Sequence, residues 1–491
     1  MTQTELVDNF IELEYKQDFF NLSVDGFQCW PYVRGIVETI LWERLIGSFT
    51  GELRENPGRS TYSEKMQVLS AGDVLKGIGK AAVPVNFRSL PHKNIVCFAD
   101  PRRVMNRGVY FDAFNDYVQD FFPEDTLVFE VPYRNKHFYP RYTKGIIDLD
   151  NYHVRNYAAK WRPIRRSVQD EFESVAEKIC NDIYAAFGVR CSREVMSSNL
   201  NEFYNRWKHG KVFYHKLFET VQPKVVFEVC NYSLESIILN EAAHEMGIQT
   251  VEFQHGTLNR EHYAYNFYDC NRSYKYLPDK VFLYGKYFQE NMRFPGGEKS
   301  EVVIGDCFLD EMSERYPWKR ADKVRVTILS QNYKELYNFT VSCARYFSEH
   351  GIDCLLTYKL HPIEYDKPES SFSDLLQYSN VRLVRDASIN LYDVLSQSDI
   401  TISANSTALF ESSIYENIVP CIFECAESQS LQNLVDIGAF VGLKSAADLA
   451  DLVQNIEKFR RDRKDSSYSE YFFRRNAREN LKTEIDAMLA E

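Results

Sequence analysis

The sequence predicts an α/β protein made of two doubly wound, Rossmann-like domains that face a cleft, with helical N-terminal additions. Short apolar runs of strand length alternate with amphipathic helical segments twice along the chain, first from Asn94 and again from Val324. Such alternation is typical of parallel sheets that are covered by helices on both faces. At 491 residues, the chain also exceeds the ~250–300 residues at which single hydrophobic cores stop growing.

Composition narrows the class of protein. Hydrophobic residues make up 44% and charged residues 26%, which is ordinary for a soluble globular protein. The net charge of −12 argues against a nucleic-acid partner, because proteins that bind nucleic acids present a positively charged surface. The 11 cysteines are scattered without a CxxC pair, which favours reduced thiols in a cytoplasmic protein over disulfides or a zinc site. We expect no cofactor, no signal peptide and no membrane-spanning segment.

Four regions follow from the order of the patterns. Residues 1–90 are predicted to be mostly helical, with an apolar helix from Trp30 to Ile46 and a polar connection from Thr50 to Ser60. Residues 91–316 are predicted to form the acceptor-side Rossmann-like domain, with a charged, aromatic helical insertion at about 150–220. Residues 317–455 are predicted to form the nucleotide-donor domain, and 456–491 a C-terminal helix.

The first alternating series supplies the acceptor-side domain. Strands are predicted at 95–100, 126–131, 224–229, 250–253, 281–285 and 301–305. Helices are predicted from Val109 to Phe121 and from Ser233 to Met246, where Gly247 has the place of a C-cap glycine. The segment from Asp306 to Lys319 is predicted to be the linker to the second series.

The second series ends two of its strands in polar residues. Strands are predicted at 324–330, 353–359, 380–384, 399–403 and 419–423, with a helix from Glu335 to His350. The 353–359 strand leads into Leu360-His361-Pro362, and the 399–403 strand leads through Asn405, Ser406 and Thr407 into a predicted helix, Ala408 to Asn417. Ligands bind at the carboxyl edge of open parallel sheets, so these turns predict an anion-binding site at a helix start. The alternative is that Ser406 or Thr407 only caps the helix and that His361 is a loop histidine held by Pro362.

An arginine-rich loop follows the first predicted strand. Arg102, Arg103 and Arg107 lie beside Gly108 between that strand and the next predicted helix. Guanidinium groups bind carboxylates and phosphates through paired hydrogen bonds, so this loop is a candidate for binding an anionic acceptor. The alternative is a solvated loop.

Three short motifs resemble those of a known family. They are Gln254-His255-Gly256, Lys359-Leu360-His361-Pro362, and Ser403-Ala404-Asn405-Ser406-Thr407 followed by Glu411. In this order at strand ends, over roughly 220–445, they look like the bacterial GT-B capsule and lipopolysaccharide glycosyltransferases. That group includes the CMP-sugar sialyl- and Kdo-transferases and the CDP-glycerol glycerophosphotransferases.

The resemblance implies a donor site and a reaction. It assigns His361, Ser406 and Thr407 to the donor phosphate and ribose, and Glu411 to the ribose hydroxyls. Lys359, Pro362 and Ser403 complete the expected donor-binding set, with Lys359 neutralising phosphate charge. The alternatives are a solvated lysine at the strand end and, for Glu411, a carboxylate on the helix surface. The implied reaction is sugar transfer from a nucleotide-activated donor, CMP-linked, to a hydroxyl of a glycan or lipid-linked glycan. The acidic-pair-glycine motif that supplies the base in sialyltransferases does not occur here, so the resemblance does not name the base.

Two residues are candidates for the catalytic base. Glu228 interrupts an apolar strand with a carboxylate, and burial raises a carboxyl pKa toward the range of base chemistry. His255 follows a strand and titrates near neutrality without help. The alternatives are an outward-facing carboxylate and a hydrogen-bonded loop histidine. No Asp-x-Asp metal motif stands at a predicted strand end, so we expect metal-independent chemistry.

The C-terminal region concentrates basic and aromatic residues between Lys458 and Arg478, around Tyr468, Tyr471, Phe472 and Phe473. Such a segment suits peripheral contact with the cytoplasmic face of the inner membrane. Alternatively, the last helix crosses back to the first domain and the aromatic residues are its buried face. Two other functions remain open: a UDP-GlcNAc 2-epimerase-like isomerase, and a non-catalytic scaffold with the same fold.

Overall fold

A computed structural model describes residues 1–46, 83–100, 103–133, 136–386 and 389–490. The predicted connection from Thr50 to Ser60 and Arg102 therefore lie outside the described residues. The chain divides into two compact units, and each contains one parallel sheet with helices packed against it. Unit 1 comprises Met1–Leu283, Gln289–Val302 and Arg478–Glu491, and unit 2 comprises Tyr284–Phe288 and Val303–Ala477. The predicted α/β class with two Rossmann-like sheets is confirmed, while the four-region division stays a prediction.

Unit 1 begins with two helices joined by a small hairpin. Helix α1 spans Gln3–Lys16, strands β1 (Ser23–Val24) and β2 (Phe27–Gln28) pair antiparallel, and α2 spans Cys29–Leu45. Thr2 caps α1 by accepting a hydrogen bond from the Glu5 amide. Pro31 lies in the first turn of α2, where its missing N–H costs no hydrogen bond.

The sheet of unit 1 has seven strands in the order β11-β10-β9-β8-β3-β6-β7. Their bounds are β3 Ile95–Phe98, β6 Thr126–Glu130, β7 Ile147–Asp148, β8 Val225–Val229, β9 Gln249–Phe253, β10 Lys280–Leu283 and β11 Glu301–Val303. β3 pairs in parallel with β6 and β8, and β9 pairs in parallel with β8 and β10. The chain starts at β3, adds strands on one side and then returns to the other, so the order reverses between β3 and β8. Such a reversal is where Rossmann-like sheets bind ligands.

The predicted helix from Val109 to Phe121 is wrong over its first half. Strands β4 (Val104–Asn106) and β5 (Val109–Phe111) form a separate antiparallel hairpin, and helix α3 spans only Asp116–Phe121. Arg107 and Gly108 have positive φ angles of 50° and 81°, which is the backbone of a two-residue hairpin turn. This turn folds the β-branched and aromatic residues after it back along β4.

The predicted helical insertion is present as three helices. They are α4 Asp150–Ala159, α5 Arg166–Phe187 and α6 Arg193–Val221. Helix α7, Leu234–Glu245, follows β8, is capped by Ser233, and is followed by Gly247 with a φ of +70°, as the sequence predicts.

The sheet of unit 2 has six strands in the order β14-β13-β12-β15-β16-β17. The strands are β12 Val324–Leu329, β13 Cys354–Lys359, β14 Val381–Val384, β15 Ile400–Ser403, β16 Val419–Phe423 and β17 Val441–Leu443, and all neighbours pair in parallel. Its order reverses between β12 and β15. Helix α8, Lys286–Glu290, comes between β10 and β11 in the sequence. The helices that precede, connect or follow the strands of unit 2 are α9 Cys307–Arg315, α10 Lys334–His350, α11 Ser373–Leu376, α12 Leu391–Ser396, α13 Thr407–Ser412, α14 Gln432–Asp436 and α15 Ala446–Gln454. The core packs α10 and α15 onto the sheet through residues such as Phe347 and Leu449.

Two helix predictions in this unit need correction. The predicted linker from Asp306 contains α9, because the Asp306 carboxylate accepts hydrogen bonds from the Phe308 and Leu309 amides at 2.9 and 3.0 Å and so starts a helix. The predicted helix from Ala408 to Asn417 is shorter, since α13 ends at Ser412. Beyond it the backbone makes i to i−3 bonds, and the Ser412 hydroxyl donates to the Leu409 carbonyl, which competes with helix continuation.

The C-terminal region is helical and buries its central phenylalanines. Helices α16 (Ile456–Ser466) and α17 (Tyr468–Phe472) belong to unit 2, and α18 (Ala477–Ala490) belongs to unit 1 from Arg478 onward. Phe472 and Phe473 are 0% and 2% exposed, and Phe472 packs within 5.5 Å of the Phe410 ring. Phe472 and Phe473 are therefore buried, while the crossing of the last helix to the first domain stays a prediction. Among the described residues, no helix combines the length and the apolar composition that crossing a bilayer requires.

Candidate functional site

The carboxyl edge of the unit 2 sheet gathers the predicted donor residues. Because β13, β12 and β15 are adjacent and parallel, the residues that follow them emerge at one edge. These are His361 after β13, Gln331 after β12 and Asn405 after β15. The strand order reverses between β12 and β15, so Gln331 and Asn405 flank the reversal.

A glutamine that sequence reasoning missed bridges the reversal point. Gln331 Oε1 accepts hydrogen bonds from the Ser403 hydroxyl at 2.8 Å and from the Asn405 amide at 3.0 Å. Gln331 Nε2 donates to Asn405 Oδ1. These bonds hold the turn after β15 in place beside β12. The sequence does indicate Gln331, because it is a polar residue that directly follows the predicted strand 324–330. His361 was predicted from the same kind of position after a strand.

His361 is exposed and its ring is oriented by its own turn. Residues Pro362–Glu364 form a 3₁₀ turn that His361 caps, with Nδ1 accepting from the Ile363 amide at 3.3 Å. The His361 amide donates to the Glu364 carboxylate at 3.2 Å. With Nδ1 as the acceptor, the proton of the neutral ring is assigned to Nε2. That N–H is available to a ligand oxygen at the sheet edge.

Lys359 and Glu364 lie beneath the exposed histidine. Lys359 is 8% exposed, and its ammonium donates to the Tyr365 hydroxyl at 3.2 Å. The Glu364 carboxylate accepts from the Ser330 hydroxyl and from Lys367. Lys359 is thus buried against Tyr365, in contrast to the solvated position that a lysine at a strand end usually has.

The turn after β15 places its hydroxyl groups at the start of a short helix. The Ser406 hydroxyl accepts from the Ala408 amide at 3.3 Å as the N-cap of α13, and Thr407 is exposed. Glu411 accepts a hydrogen bond from the Tyr392 hydroxyl at 2.8 Å. Burial raises the pKa of Glu411, and the Tyr392 bond opposes this effect. Helix α13 has six residues, so its dipole contributes less at this edge than the predicted ten-residue helix.

The corresponding edge of unit 1 is built around a buried carboxylate, Glu252 on β9. Glu252 accepts hydrogen bonds from the Cys230 and Asn231 amides at 3.1 and 3.0 Å, from Asn231 Nδ2 at 2.6 Å and from the Tyr265 hydroxyl at 2.6 Å. Burial raises the pKa of Glu252 to about 7, although these hydrogen bonds lower it. Sequence reasoning missed Glu252, although it interrupts an apolar strand as Glu228 does.

His255 follows β9 and lies between a phenol and this carboxylate. Its Nε2 is 3.1 Å from the Tyr232 hydroxyl, and its Nδ1 is 3.7 Å from Glu252 Oε1. The His255 side chain is 8% exposed. A carboxylate near one ring nitrogen favours the protonated imidazole, which is the state that a base reaches after it takes a proton.

Glu228 lies below that edge, in the interior of unit 1. It is directly opposite Glu252 in the strand register and is 1% exposed. Its Oε1 accepts from Asn240 Nδ2 at 2.8 Å. Burial and the charge of Glu252 raise the pKa of Glu228 to about 8. At 1% exposure, Glu228 has no surface of its own to meet a substrate.

The arginine loop is divided between the interior and the surface. The sequence predicts an open guanidinium at Arg103, whereas the structure pairs it with Glu130 at 2.5 Å and with Asp116 at 3.7 Å. Arg107 is exposed at the turn of the β4–β5 hairpin. Of the described arginines in this loop, Arg107 has the exposure that acceptor binding requires.

A network of ionic groups surrounds Glu130. His137 hydrogen-bonds Glu130 at 2.6 Å and Asp150 at 2.9 Å, and Arg141 contacts Glu130 and Asp148 at 2.5 and 2.8 Å. Burial alone lowers the pKa of His137, but its bonds to the two carboxylates raise it overall. The carboxylates are therefore neutralised by side chains of the same unit.

This network contains the set of side chains that could hold a metal ion. Glu130, His137 and Asp148 each place one ligand atom within 4.8 Å of the others. Asp148-Leu149-Asp150 is also an Asp-x-Asp motif at the end of β7, so the prediction that no such motif stands at a strand end is wrong. Strand β7 has only two residues and escapes sequence patterns. In this structure Arg103, Arg141 and His137 supply the positive charge that a cation would supply.

Comparisons with known proteins give similarity of structure alone. No family model and no curated protein sequence matches the chain. Among solved structures, the wall teichoic acid polymerase TagF has a TM-score of 0.45 at 12% identity, covering 88% of this chain and 98% of that one. A putative UDP-N-acetylglucosamine 2-epimerase from Listeria monocytogenes has a TM-score of 0.48 at 11% identity, covering 80% and 96%. At this identity and overlap, an assignment of function depends on the site residues.

Proposed function

We propose that the chain is a GT-B-type glycosyltransferase. It transfers a sugar from a nucleotide-activated donor, CMP-linked, to a hydroxyl of a glycan or lipid-linked glycan in the assembly of bacterial capsule or lipopolysaccharide. The observation that carries the proposal is the unit 2 edge, where Gln331 and Asn405 flank the strand reversal beside the exposed His361 ring. The three motifs that resemble the family all follow strands at these edges.

The donor phosphate is assigned to the unit 2 edge because of its neutral donors. His361 Nε2–H, the Asn405 side-chain amide and the hydroxyls of Ser406 and Thr407 offer hydrogen bonds to phosphate oxygens, each contributing roughly 0.5–1.5 kcal/mol. Lys359, at the end of the strand that leads to His361, is 8% exposed and adds a positive charge in a region screened from water. Together these groups stabilise the negative charge that develops on a departing nucleotide.

The acceptor proton is assigned to His255. Its position between Tyr232 and Glu252 fixes the ring, and Glu252 stabilises the imidazolium that forms when the ring takes a proton. Glu228 supports Glu252 from below. Arg107 is the described arginine placed for an anionic acceptor. No step of this chemistry calls for a divalent cation, and transfer is expected to proceed with a chelator present.

Turnover of activated donors tests this function most directly. CMP-, CDP- and UDP-activated sugars and CDP-glycerol are incubated with the protein, with and without a chelator, and the products are separated. Release of the nucleotide is expected for a CMP-linked donor. Conversion of a UDP-sugar to an isomer would establish the epimerase alternative, and no turnover of any donor would favour the scaffold.

His361→Ala connects this activity to the proposed donor edge. The variant is expected to weaken nucleotide binding by roughly five- to ten-fold, from the loss of one hydrogen bond, as measured by calorimetry. His350→Ala is the matched control, because His350 ends α10 with its ring stacked on Tyr346 at 3.9 Å. Unchanged nucleotide affinity in a folded His361→Ala protein would overturn the donor assignment.

A further inference from the structure

One surface of unit 1 has a charge opposite to that of the whole protein. Between Asn151 and Gln169 the chain has five basic residues and no acidic residue, in a protein with a net charge of −12. The five are Arg155, Lys160, Arg162, Arg165 and Arg166. They lie on α4, on the turn after it and at the start of α5. This local excess creates a positive field that the overall charge conceals.

Five exposed residues of this segment share one helical face. Val154, Arg155 and Ala158 are exposed on α4, and Trp161 and Arg162 are exposed in the turn that continues it. The backbone keeps turning past α4, with Trp161 N bonded to Ala158 O at 3.3 Å and Arg162 N to Ala159 O at 2.9 Å. The spacing 154, 155, 158, 161, 162 brings these side chains together. We call this face the Trp161 surface.

Trp161 is 70% exposed, which is unusual for the largest apolar side chain. It contacts Tyr157 edge-on at 5.6 Å between ring centroids. The Lys160 ammonium lies 3.9 Å from the Tyr157 centroid and 4.9 Å from that of Trp161. The indole is therefore supported from one side and presented outward with a cation beside it.

The charges of this face are largely uncompensated. In the described part of the chain, no ion pair links Arg155 or Arg162 to a carboxylate, while Arg165 and Arg166 pair with Asp25 and Asp170 at 3.3 and 2.9 Å. These pairs are exposed and therefore weak. The guanidinium groups of Arg155 and Arg162 and the exposed indole of Trp161 therefore form a surface that suits a partner with negative charges and an apolar region.

We propose that the Trp161 surface docks on a membrane that contains anionic phospholipids. Tryptophan prefers the boundary between head groups and acyl chains, and each basic side chain near an anionic leaflet strengthens binding about five-fold. An apolar stripe flanked by arginines on one helical face is the arrangement of interfacial helices. The basic-aromatic segment 458–478 is less suited to this role because Phe472 and Phe473 are buried.

Two other occupants fit less well. A second copy that packs through a two-fold axis would place the same arginines opposite each other, and like charges repel. Single-stranded nucleic acid would need several aromatic faces along a basic groove, whereas this face presents one exposed indole. Both are tested as competing outcomes. The proposal is independent of the proposed transferase activity, because vesicle binding is measured without donor or acceptor.

Vesicle flotation tests the proposal. The full-length protein is mixed with vesicles of phosphatidylcholine alone or with 30% phosphatidylglycerol, a composition chosen on the order of natural anionic leaflets. Binding to the anionic vesicles is expected, with little binding to the neutral ones and a loss at high salt. Arg155→Glu/Arg162→Glu is expected to weaken binding by roughly 25-fold or more, at about five-fold per charge. Both positions are exposed, so the melting temperature should stay unchanged.

A matched variant separates this surface from the C-terminal segment. Lys458→Glu/Arg461→Glu makes the same change of charge at two exposed positions of α16. It is expected to keep binding within two- to three-fold of wild type. An equal loss from both double variants would show that total charge decides binding, and would overturn the assignment to the Trp161 surface.

Tryptophan fluorescence locates the contact. The chain has five tryptophans, and Trp161→Phe isolates the contribution of Trp161 by difference. Brominated lipids are expected to quench the wild-type signal and to quench the Trp161→Phe variant less. No binding to anionic vesicles, no difference in quenching, or preferential binding to single-stranded DNA would each overturn the proposal. So would sedimentation as a dimer that Arg155→Glu/Arg162→Glu converts to a monomer.

Discussion

The two sheets of this protein reverse their strand order at the same relative position but present different chemistry there. In unit 2 the edge carries amides, hydroxyls and an exposed imidazole around Gln331 and His361, and its carboxylate, Glu364, is paired with Lys367. In unit 1 the edge is acidic, with Glu252 and Glu228 paired across neighbouring strands beneath His255. The topology is shared, so the difference lies in the residues placed at the strand ends.

The difference in charge between the two edges indicates which step of a transfer reaction each one suits. Neutral donors bind a phosphate without repelling it, while a carboxylate at the same point would oppose an anionic donor. Buried carboxylates instead stabilise a protonated imidazole and suit proton transfer. Under the proposed function, one Rossmann-like edge binds the anionic donor and the other carries out the acid–base chemistry, and variants at each should produce separable defects.

His255→Ala should give the largest loss of activity and should best separate the role of the unit 1 edge from that of the unit 2 edge. Loss of the base is expected to lower turnover of the true donor and acceptor by ~10²–10⁴-fold, while nucleotide affinity stays within about two-fold, as measured by calorimetry. His215→Ala is the matched control, since His215 is a partly exposed histidine of the same unit that pairs with Glu245. Near-normal turnover by His255→Ala would place the base elsewhere.

Glu228→Gln should alter stability as a function of pH. Burial and Glu252 raise the pKa of Glu228 from 4.5 to about 8. A carboxyl whose folded pKa is raised stabilises the protein at low pH, and that contribution is lost as pH rises from 4.5 through about 8. The glutamine variant, which cannot ionise, is expected to match wild type near pH 5 and to exceed its stability at pH 8.5, by an amount on the order of a few kcal/mol.

Thermal unfolding at the two pH values measures this difference. Glu171→Gln makes the same chemical change at an exposed position of α5 and should leave the pH dependence of the melting temperature as it is. If Glu228→Gln follows the wild-type pH dependence, the paired carboxylates do not share a proton in the folded protein. The acidic character assigned to the unit 1 edge would then be wrong.

Much of this contrast could be predicted from sequence, because strands long enough to show an apolar run also show where they end. His255, His361 and the Ser406 turn were found in this way. Glu252 interrupts its strand, Gln249–Phe253, as Glu228 interrupts a strand of equal length, but its role at the edge depends on hydrogen bonds from Asn231 and Tyr265, which the sequence does not show. Gln331 was missed for a similar reason, since one polar residue after a strand is an ordinary loop residue until its contacts are known.

Other parts depend on contacts that no local pattern contains. Strand β7 has two residues, which are too few to show alternation. The position of Asp148 at the end of a strand therefore could not be predicted from the sequence. Arg103 looked like a loop residue because its partner Glu130 is 27 positions away. The hairpin at 104–111 depends on a positive φ at Arg107. Arginine seldom adopts this conformation, so the sequence does not predict the turn.

Gln331→Ala tests the neutral edge at its centre. Removing the side chain releases the Asn405 turn and is expected to weaken donor binding by roughly ten-fold, from two hydrogen bonds. Gln331→Glu is expected to weaken it further, because a carboxylate there repels phosphate. Gln397→Ala is the control, since Gln397 precedes β15 at the opposite edge of the sheet. Equal nucleotide affinities for the alanine and glutamate variants would show that no phosphate lies at Gln331.

The smallest effect is expected at Ser406 and Thr407, where two roles can be separated. The Ser406 hydroxyl caps α13, so Ser406→Ala should cost ~0.5–2 kcal/mol of stability in thermal unfolding. Thr407 is exposed and caps nothing, so Thr407→Ala should leave the melting temperature unchanged. If both hydroxyls also donate to phosphate, each variant loses roughly two- to ten-fold in nucleotide affinity. A stability loss in Ser406→Ala with full affinity in both variants would leave the turn as a helix cap only, and phosphate binding would fall to Gln331, Asn405 and His361.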